Sequence, residues 1–206
     1  MALKILICGG GISGNALAFW LSQRHDVTVI EHFPSLRYSG LQLDLRGPGI
    51  EVLRRMGLET AFRACTVHEQ GLQLVDSWNR RWAWFAANRS GHGLQNFTTD
   101  FEIMRGDLCR LLYDACRDRV RYIFGHRVQH LEQTAHNVTV LFSDGQQDRF
   151  DFVVGADGLG SRTRRMMLDA DAPDPLRPVG TTAGYFTMAR ELQPGEQYMA
   201  SCYLAT

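Results

Sequence analysis

The chain has 206 residues, room for about one to one and a half ordinary domains. With 45% hydrophobic and 21% charged residues it can bury a sizeable core, which excludes wholesale disorder. Its 22 basic residues balance 22 acidic ones, and this zero net charge argues against nucleic acid as a partner, because phosphate binding calls for a strongly basic surface.

Residues 2–8 form a short apolar run that ends in glycines, the pattern of a buried parallel strand. Residues 12–23 read as a helix with Ile12, Ala16, Phe19 and Trp20 on one side, and residues 27–31 as a second strand. Strand, turn, helix and strand in about thirty residues make a βαβ unit, whose crossover should be right-handed. Residues 33–47, rich in Gly, Ser and Arg, predict a loop. Pro48 then opens a short helix that runs to Met56 and is closed by Gly57, and a second covers residues 59–64.

Leu72, Leu74 and the run 82–85 predict two strands joined through Asn79 and Arg80, followed by a mobile loop over 88–95. Asp107 is placed to cap a helix ending near Asp118, with Leu108, Leu111, Leu112 and Ala115 inward. Three short strands follow at 120–124, 127–131 and 138–142, and the turn at Ser143, Asp144 and Gly145 leads into a fourth at 146–150. Residues 152–156 read as another buried strand and 161–167 as a helical turn. A proline-containing linker over 171–178 precedes two further strands, at 185–188 and 198–204.

Five cysteines, an odd number with no C-x-x-C, fit neither a disulfide framework nor a zinc site. Reduced thiols in a cytoplasmic compartment are expected, with Cys109 and Cys116, two helical turns apart, sharing one packed face. No apolar stretch is long enough to span a bilayer. Lys4 and the apolar residues 5–8 could open a signal peptide, but Gly9, Gly10, Gly11 and Gly14 break it. The sequons at Asn88, Asn96 and Asn137 are then expected to stay unmodified. All basic residues except Lys4 are arginine, which fits either forked anion contacts or codon usage.

Two constellations carry chemistry. Residues 9–14 spell G-x-G-x-x-G directly after a strand and at the opening of a helix. There Gly9 permits the tight turn, Gly11 lets a pyrophosphate approach the backbone, and Gly14 lets the helix pack on the strand. The exposed N–H groups and the helix dipole attract the phosphates. Glu31 ends the second strand 22 residues after Gly9, where an acid bonds a ribose hydroxyl. The second constellation is the run 151–164, with Asp151, Val153, Val154, Gly155, Ala156, Asp157, Gly158, Ser161 and Arg164.

That second run resembles the "DG" fingerprint of the single-component, FAD-dependent aromatic hydroxylases, the para-hydroxybenzoate hydroxylase-like group A monooxygenases. Residues 43–49 and 53–58 are similar to that family's loop and helix after the second strand, and Arg105 to its arginine near the ribityl and pyrophosphate portion of FAD. By charge alone, an arginine at a helix start is poorly placed, and a bound phosphate would explain it. The resemblance implies FAD contacts from Gly9, Gly11, Gly14, Glu31, Asp44, Arg105 and Asp157, with Gly158 allowing close approach. His32 stands where family members usually carry Arg or Lys.

The implied fold is α/β, a Rossmann-like FAD-binding parallel sheet with a β-meander, plus the start of a smaller β-rich substrate domain. The FAD-binding part would span 1–170, with part of the substrate sheet inserted around 67–103, and 179–206 would hold incomplete substrate-domain strands. The implied activity is NAD(P)H-dependent hydroxylation of an aromatic or polyketide-like small molecule. No catalytic side chain is assigned. The family's third motif, G-D-A-A-H or similar, does not occur, so the resemblance covers the N-terminal half of a typical member. This predicts weakened FAD binding, uncoupled NAD(P)H consumption, and self-association through an unfinished sheet edge.

Two other readings stand beside it: a short non-redox descendant (cyclase, isomerase or binding protein), and a plain NAD-binding domain, which accounts for the first motif but not the second. His68, Glu69 and the remaining histidines lack metal-ligand spacing. Arg162, Arg164 and Arg165 fit a solvated helix face better than an anion site. Trp78, Trp82, Trp84 and Phe85 fit core packing better than a substrate cavity.

Overall fold

A computed structural model describes residues 1–90, 97–169, 171–173, 175–186, 189–191, 194 and 196–203. In chain order the elements are β1 (Lys4–Cys8), α1 (Ile12–Leu21), β2 (Asp26–Glu31), β3 (Gln42–Asp44), α2 (Pro48–Arg55), α3 (Glu59–Arg63), β4 (Gly71–Val75), β5 (Arg81–Ala86) and β6 (Glu102–Met104). They continue with α4 (Arg105–Asp114), β7 (Val120–Phe124), β8 (Val128–Gln133), β9 (Val138–Phe142), β10 (Gln147–Phe150), β11 (Phe152–Gly155), α5 (Arg162–Met167) and β12 (Ala200–Tyr203). The chain divides into two compact units, Met1–Ser39 with Leu108–Thr182, and Gly40–Asp107 with Ala183–Thr206.

The first unit is built on a four-stranded parallel sheet in the order β11-β1-β2-β7. Both faces of β1 are covered, which is why its sequence is apolar without alternation. Ile5 and Ile7, with Val27, Val29 and Val120, pack against Ala18 of α1 and against Cys116. Leu6, Cys8 and Ile30 face the other way, onto Val128, Val140, Phe142 and Phe150 of an antiparallel meander in the order β10-β9-β8. The parallel sheet thus has helix on one side and β-meander on the other, as the sequence implied.

The second unit holds the β4–β5 hairpin, with β12 parallel to β4, and a separate antiparallel pair, β3 with β6. Phe62 of α3 and Phe101 lie 5.8 Å apart between centroids, in a core with Ile50, Leu53, Met56 and Ile103. Asn79, at φ +59°, turns the hairpin, and the Asp76 carboxylate accepts the N–H groups of Trp78 and Arg80, both at 2.9 Å.

Several expectations need correction. Helix α1 buries Gly14, Asn15 and Ala18, while Trp20 is 41% exposed. Small residues let the helix sit close to β1, which turns the bulky ones to its flanks. The expected loop over 33–47 contains β3, and β6 was not foreseen either, because three-residue strands have no readable period. Helix α4 begins at Arg105, not after an Asp107 cap, since β6 passes directly into it; it ends at Asp114, short of Asp118. Trp78 and Trp82 are 75% and 78% exposed and Trp84 and Phe85 are partly so; none is core. Tyr185 and Phe186 are not in a strand, while residues 91–96, 187–188 and 204 lie outside the described residues. Among the described residues no helix is long and apolar enough to cross a membrane.

Candidate dinucleotide-binding site

The site begins where β1 ends. Gly9 donates its N–H to Ile30 O at 2.8 Å and Ala156 donates to Cys8 O at 2.7 Å, so the turn is tied to both neighbouring strands. Gly9 sits at φ +114°, and a Cβ there would lie 2.5 Å from Ala156 O. A Cβ on Gly14 would lie 1.9 Å from Gly9 O. Side chains at either position would push apart the turn, the helix and the strand that carries the second motif.

Gly11 is the N-cap of α1. No side chain caps it and the first turn holds no acid. The first intrahelical bond is donated by Asn15 N to Gly11 O at 2.9 Å, so the preceding N–H groups stand at the positive end of a ten-residue helix. Such an end, with neither a capping oxygen nor a carboxylate of its own, suits a pyrophosphate.

Glu31 closes β2 beside this turn and is 9% exposed. Its Oε2 accepts the Gly10 N–H at 2.8 Å and its Oε1 accepts the Phe33 N–H at 3.0 Å. His32 Nδ1 lies 2.9 Å from the same Oε1, with its ring tilted on Phe33 at 4.1 Å. A carboxylate has about four lone-pair sites, so capacity remains for a ribose hydroxyl.

The second motif follows β11. Asp157 accepts from the Ser161 hydroxyl at 2.5 Å, from the N–H groups of Arg162 and Thr163 at 2.9 and 3.0 Å, and from the Thr163 hydroxyl at 3.1 Å. Burial works to raise its pKa, but these donors, Ser161 foremost, hold it below the usual carboxylate value. Asp157 therefore fixes the start of α5, and Gly158, at φ +80°, makes the bend between them. Arg164 and Arg165 turn back onto the carbonyls of Leu159 and Gly160, at 2.8 and 3.2 Å, and so brace the turn, while Arg162 and Arg165 remain exposed, as a solvated helix face requires. A depression of about 360 Å³ adjoins Gly155, Asp157, Gly158, Ser161 and Arg164. Beneath, burial pushes the Cys8 thiol up to about 11, against a hydrogen bond with Thr163 that lowers it.

Gly9, Gly11, Gly14, Glu31, Asp157 and Gly158 all belong to the first unit; Asp44 and Arg105 belong to the second. Asp44 accepts the Thr99 hydroxyl at 2.9 Å and pairs with Arg46. Arg105 donates its N–H to Leu41 O at 2.9 Å. A Cβ on Gly40, at φ +145°, would lie 2.6 Å from Arg105 Cδ, so this glycine makes room for the arginine stem.

Sequence reading missed two clusters. In the second unit Gln42 donates to Glu69, at 3.2 Å, and to Glu102, both buried. Burial first, and then hydrogen bonding to Glu69, pushes Glu102 up to about 7. In the first unit Asn15 is fully buried and bonded to Tyr122. The available signals were a carboxylate between Phe101 and Ile103 and an amide inside an apolar helix.

A parallel strand, a glycine turn opening a helix, and an acid ending the next strand define a dinucleotide-binding α/β domain. The model of the FAD binding domain family matches residues 2–177, and the chain belongs to that family. It is 48% identical over 206 residues to the FAD-dependent monooxygenase asL4 of Sarocladium schorii, covering 98% of this chain and 48% of that protein. The flavin-dependent monooxygenase eupH of Phoma sp is 44% identical over 193 residues, or 90% of this chain and 45% of that protein.

Among solved structures, tetracycline destructase Tet(55) is similar with a TM-score of 0.72 and 32% identity, covering 82% of this chain and 42% of its own. The flavin-dependent monooxygenase PieE, in complex with FAD and substrate, shares the fold with a TM-score of 0.65 at 23% identity, over 81% of this chain and 32% of its own. The chain spans about half the length of the curated relatives it matches.

Proposed function

We propose that this chain supplies the FAD-binding part of a flavin-dependent monooxygenase that uses NAD(P)H and oxygenates an aromatic or polyketide-like small molecule. The observation that carries this reading is the uncapped N-terminus of α1, set between the Glu31 carboxylate and the turn of the second motif. In this reading the N–H groups of Gly11 and the first helical turn hold the pyrophosphate, and Glu31 holds ribose hydroxyls. Gly9 and Gly14 keep the turn tight. Asp44 and Arg105 are the further FAD contacts that the family resemblance implies. Asp157 orders the bend at Gly158 and acts through it.

The chemistry FAD supplies when bound is activation of dioxygen with electrons from NAD(P)H. The chain's own share is to bind the cofactor, orient it and hold backbone donors toward its charge. Relatives named as monooxygenases support the reaction class. The tetracycline destructases, named for a polycyclic compound, support a ring-bearing substrate.

The test is Gly11→Asp, which puts a side chain and a negative charge where the pyrophosphate would approach. The variant should fold, as judged by circular dichroism, and lose its flavin absorbance after purification. Flavin content equal to that of the parent protein would overturn the reading.

A further inference from the structure

Helix α1 buries an amide where its neighbours are small or apolar. Asn15 is 0% exposed, and an unpaired amide there would be costly. Every part of the side chain is engaged. Nδ2 donates to Gly10 O at 2.8 Å and reaches Cys109 Sγ at 3.5 Å, while Oδ1 accepts the Tyr122 hydroxyl at 2.7 Å. The Cys109 thiol donates to the same Gly10 O at 3.4 Å. Cys116 Sγ lies 3.4 Å from the Tyr122 hydroxyl and donates to Leu112 O, also at 3.4 Å. Burial raises both the Tyr122 phenol and the Cys116 thiol, so each keeps its proton. An α1 amide and an α4 thiol thus converge on one carbonyl of the glycine turn, and a β7 phenol holds the amide from its other side.

That carbonyl controls a donor. Gly10 C=O and Gly11 N–H belong to one peptide plane, and in a trans peptide they point in opposite directions. No cis peptide is present among the described residues, this one included. Holding Gly10 O inward on Asn15 therefore directs Gly11 N–H outward, at the N-cap of α1. The Gly10 N–H is fixed separately by Glu31 at 2.8 Å. The plane between Gly10 and Gly11 would otherwise turn easily, because neither residue has a Cβ to resist rotation. If it turned over, a carbonyl oxygen would replace the N–H that faces the phosphate.

We infer that Asn15 is a positioning residue for pyrophosphate binding: held by Tyr122, it locks the Gly10–Gly11 peptide in the orientation that presents the Gly11 N–H. The inference rests on the dinucleotide reading of the turn. It assigns the buried polar cluster a part in ligand affinity beyond its part in stability.

The test compares the parent protein with Asn15→Leu and Tyr122→Phe in titrations with FAD, ADP and adenosine, alongside thermal melts and the phosphorus NMR shift of bound ADP. Folded Asn15→Leu should lose about tenfold or more in affinity for FAD and ADP, the scale of one hydrogen bond to a charged group, but little for adenosine. Tyr122→Phe should lose a few-fold for the same two ligands, shift the phosphorus signal, and add nothing further in the Asn15→Leu background. Equal losses for adenosine and ADP, or parent-like ADP affinity in both variants, would overturn the inference. If Asn15→Leu fails to fold, parent-like ADP affinity and phosphorus shift in Tyr122→Phe would still overturn it. A parent protein that binds neither FAD nor ADP would instead bring down the dinucleotide reading itself.

Discussion

Glu31→Ala should destabilise the protein before any cofactor is added. The Glu31 carboxylate accepts two backbone donors, Gly10 N–H at 2.8 Å and Phe33 N–H at 3.0 Å, from a residue only 9% exposed. Alanine has no acceptor. A buried donor left unpaired costs about 1–3 kcal/mol. The Gly10 bond is buried and the Phe33 bond only partly so, and most of the loss therefore falls on Gly10. The expected change is about 2–4 kcal/mol in the cofactor-free protein, a large part of a typical total of about 5–15 kcal/mol. Loss of the ribose contact should weaken FAD by a further ~1–3 kcal/mol. Urea denaturation of the cofactor-free protein reads the first quantity, and flavin fluorescence titration of the folded fraction reads the second. Glu31→Gln, which keeps one acceptor oxygen, should recover part of the stability. Parent-like stability in Glu31→Ala would refute the energetic argument for the turn, and parent-like FAD affinity would remove Glu31 as the ribose ligand.

The two glycines of contrasting surroundings should behave differently. In Gly14→Ala the new Cβ meets Gly9 O at 1.9 Å and Gly9 C at 3.1 Å, both backbone atoms, so a loss above ~3 kcal/mol is expected in melts. Gly158→Ala has open space and should lose only the ~1–2 kcal/mol of its left-handed backbone, so equal losses would contradict this account. Asp157→Asn should cost up to about 2 kcal/mol at neutral pH, the upper end for a partly buried carboxylate at a helix N-terminus. Because the folded pKa of Asp157 lies below its ordinary 3.8, this contribution is present above that value and fades as pH falls through the folded one; a gap between variant and parent that persists in strong acid would refute the assignment. For Glu102, raised from 4.5 to about 7, the sign is opposite: its contribution is full below pH 4.5 and lost as pH rises through about 7. Glu102→Gln should therefore lose less stability than the parent between pH 5 and pH 8, and equal pH dependence in urea midpoints would count against the buried pair.

Much of the first unit was legible because its information is local. Strand β1, the glycines at 9, 11 and 14, and Glu31 at the end of β2 fall within one stretch of sequence whose spacing is dictated by a strand, a turn and a helix. The turn after β11 was legible for the same reason, since Asp157 bonds residues only four to six positions away. The sequence did not reveal which face of α1 is buried, because Gly14, Asn15 and Ala18 are chosen by closeness to β1 and not by hydrophobicity. Nor did it reveal pairings across long separations. β3 finds β6 about sixty residues on, Glu69 meets Glu102, and Asn15 meets Cys109 and Tyr122 from 94 and 107 residues away. Residue type gives only a preference for burial, which is why Trp78 and Trp82 could be read as core and yet stand in solvent. The sequence alone determined the glycine turn and its acid, because steric limits on φ and the reach of a strand act over a few residues. The tertiary structure alone decided what holds that turn in place, because a buried polar group must find its partner wherever the fold brings one.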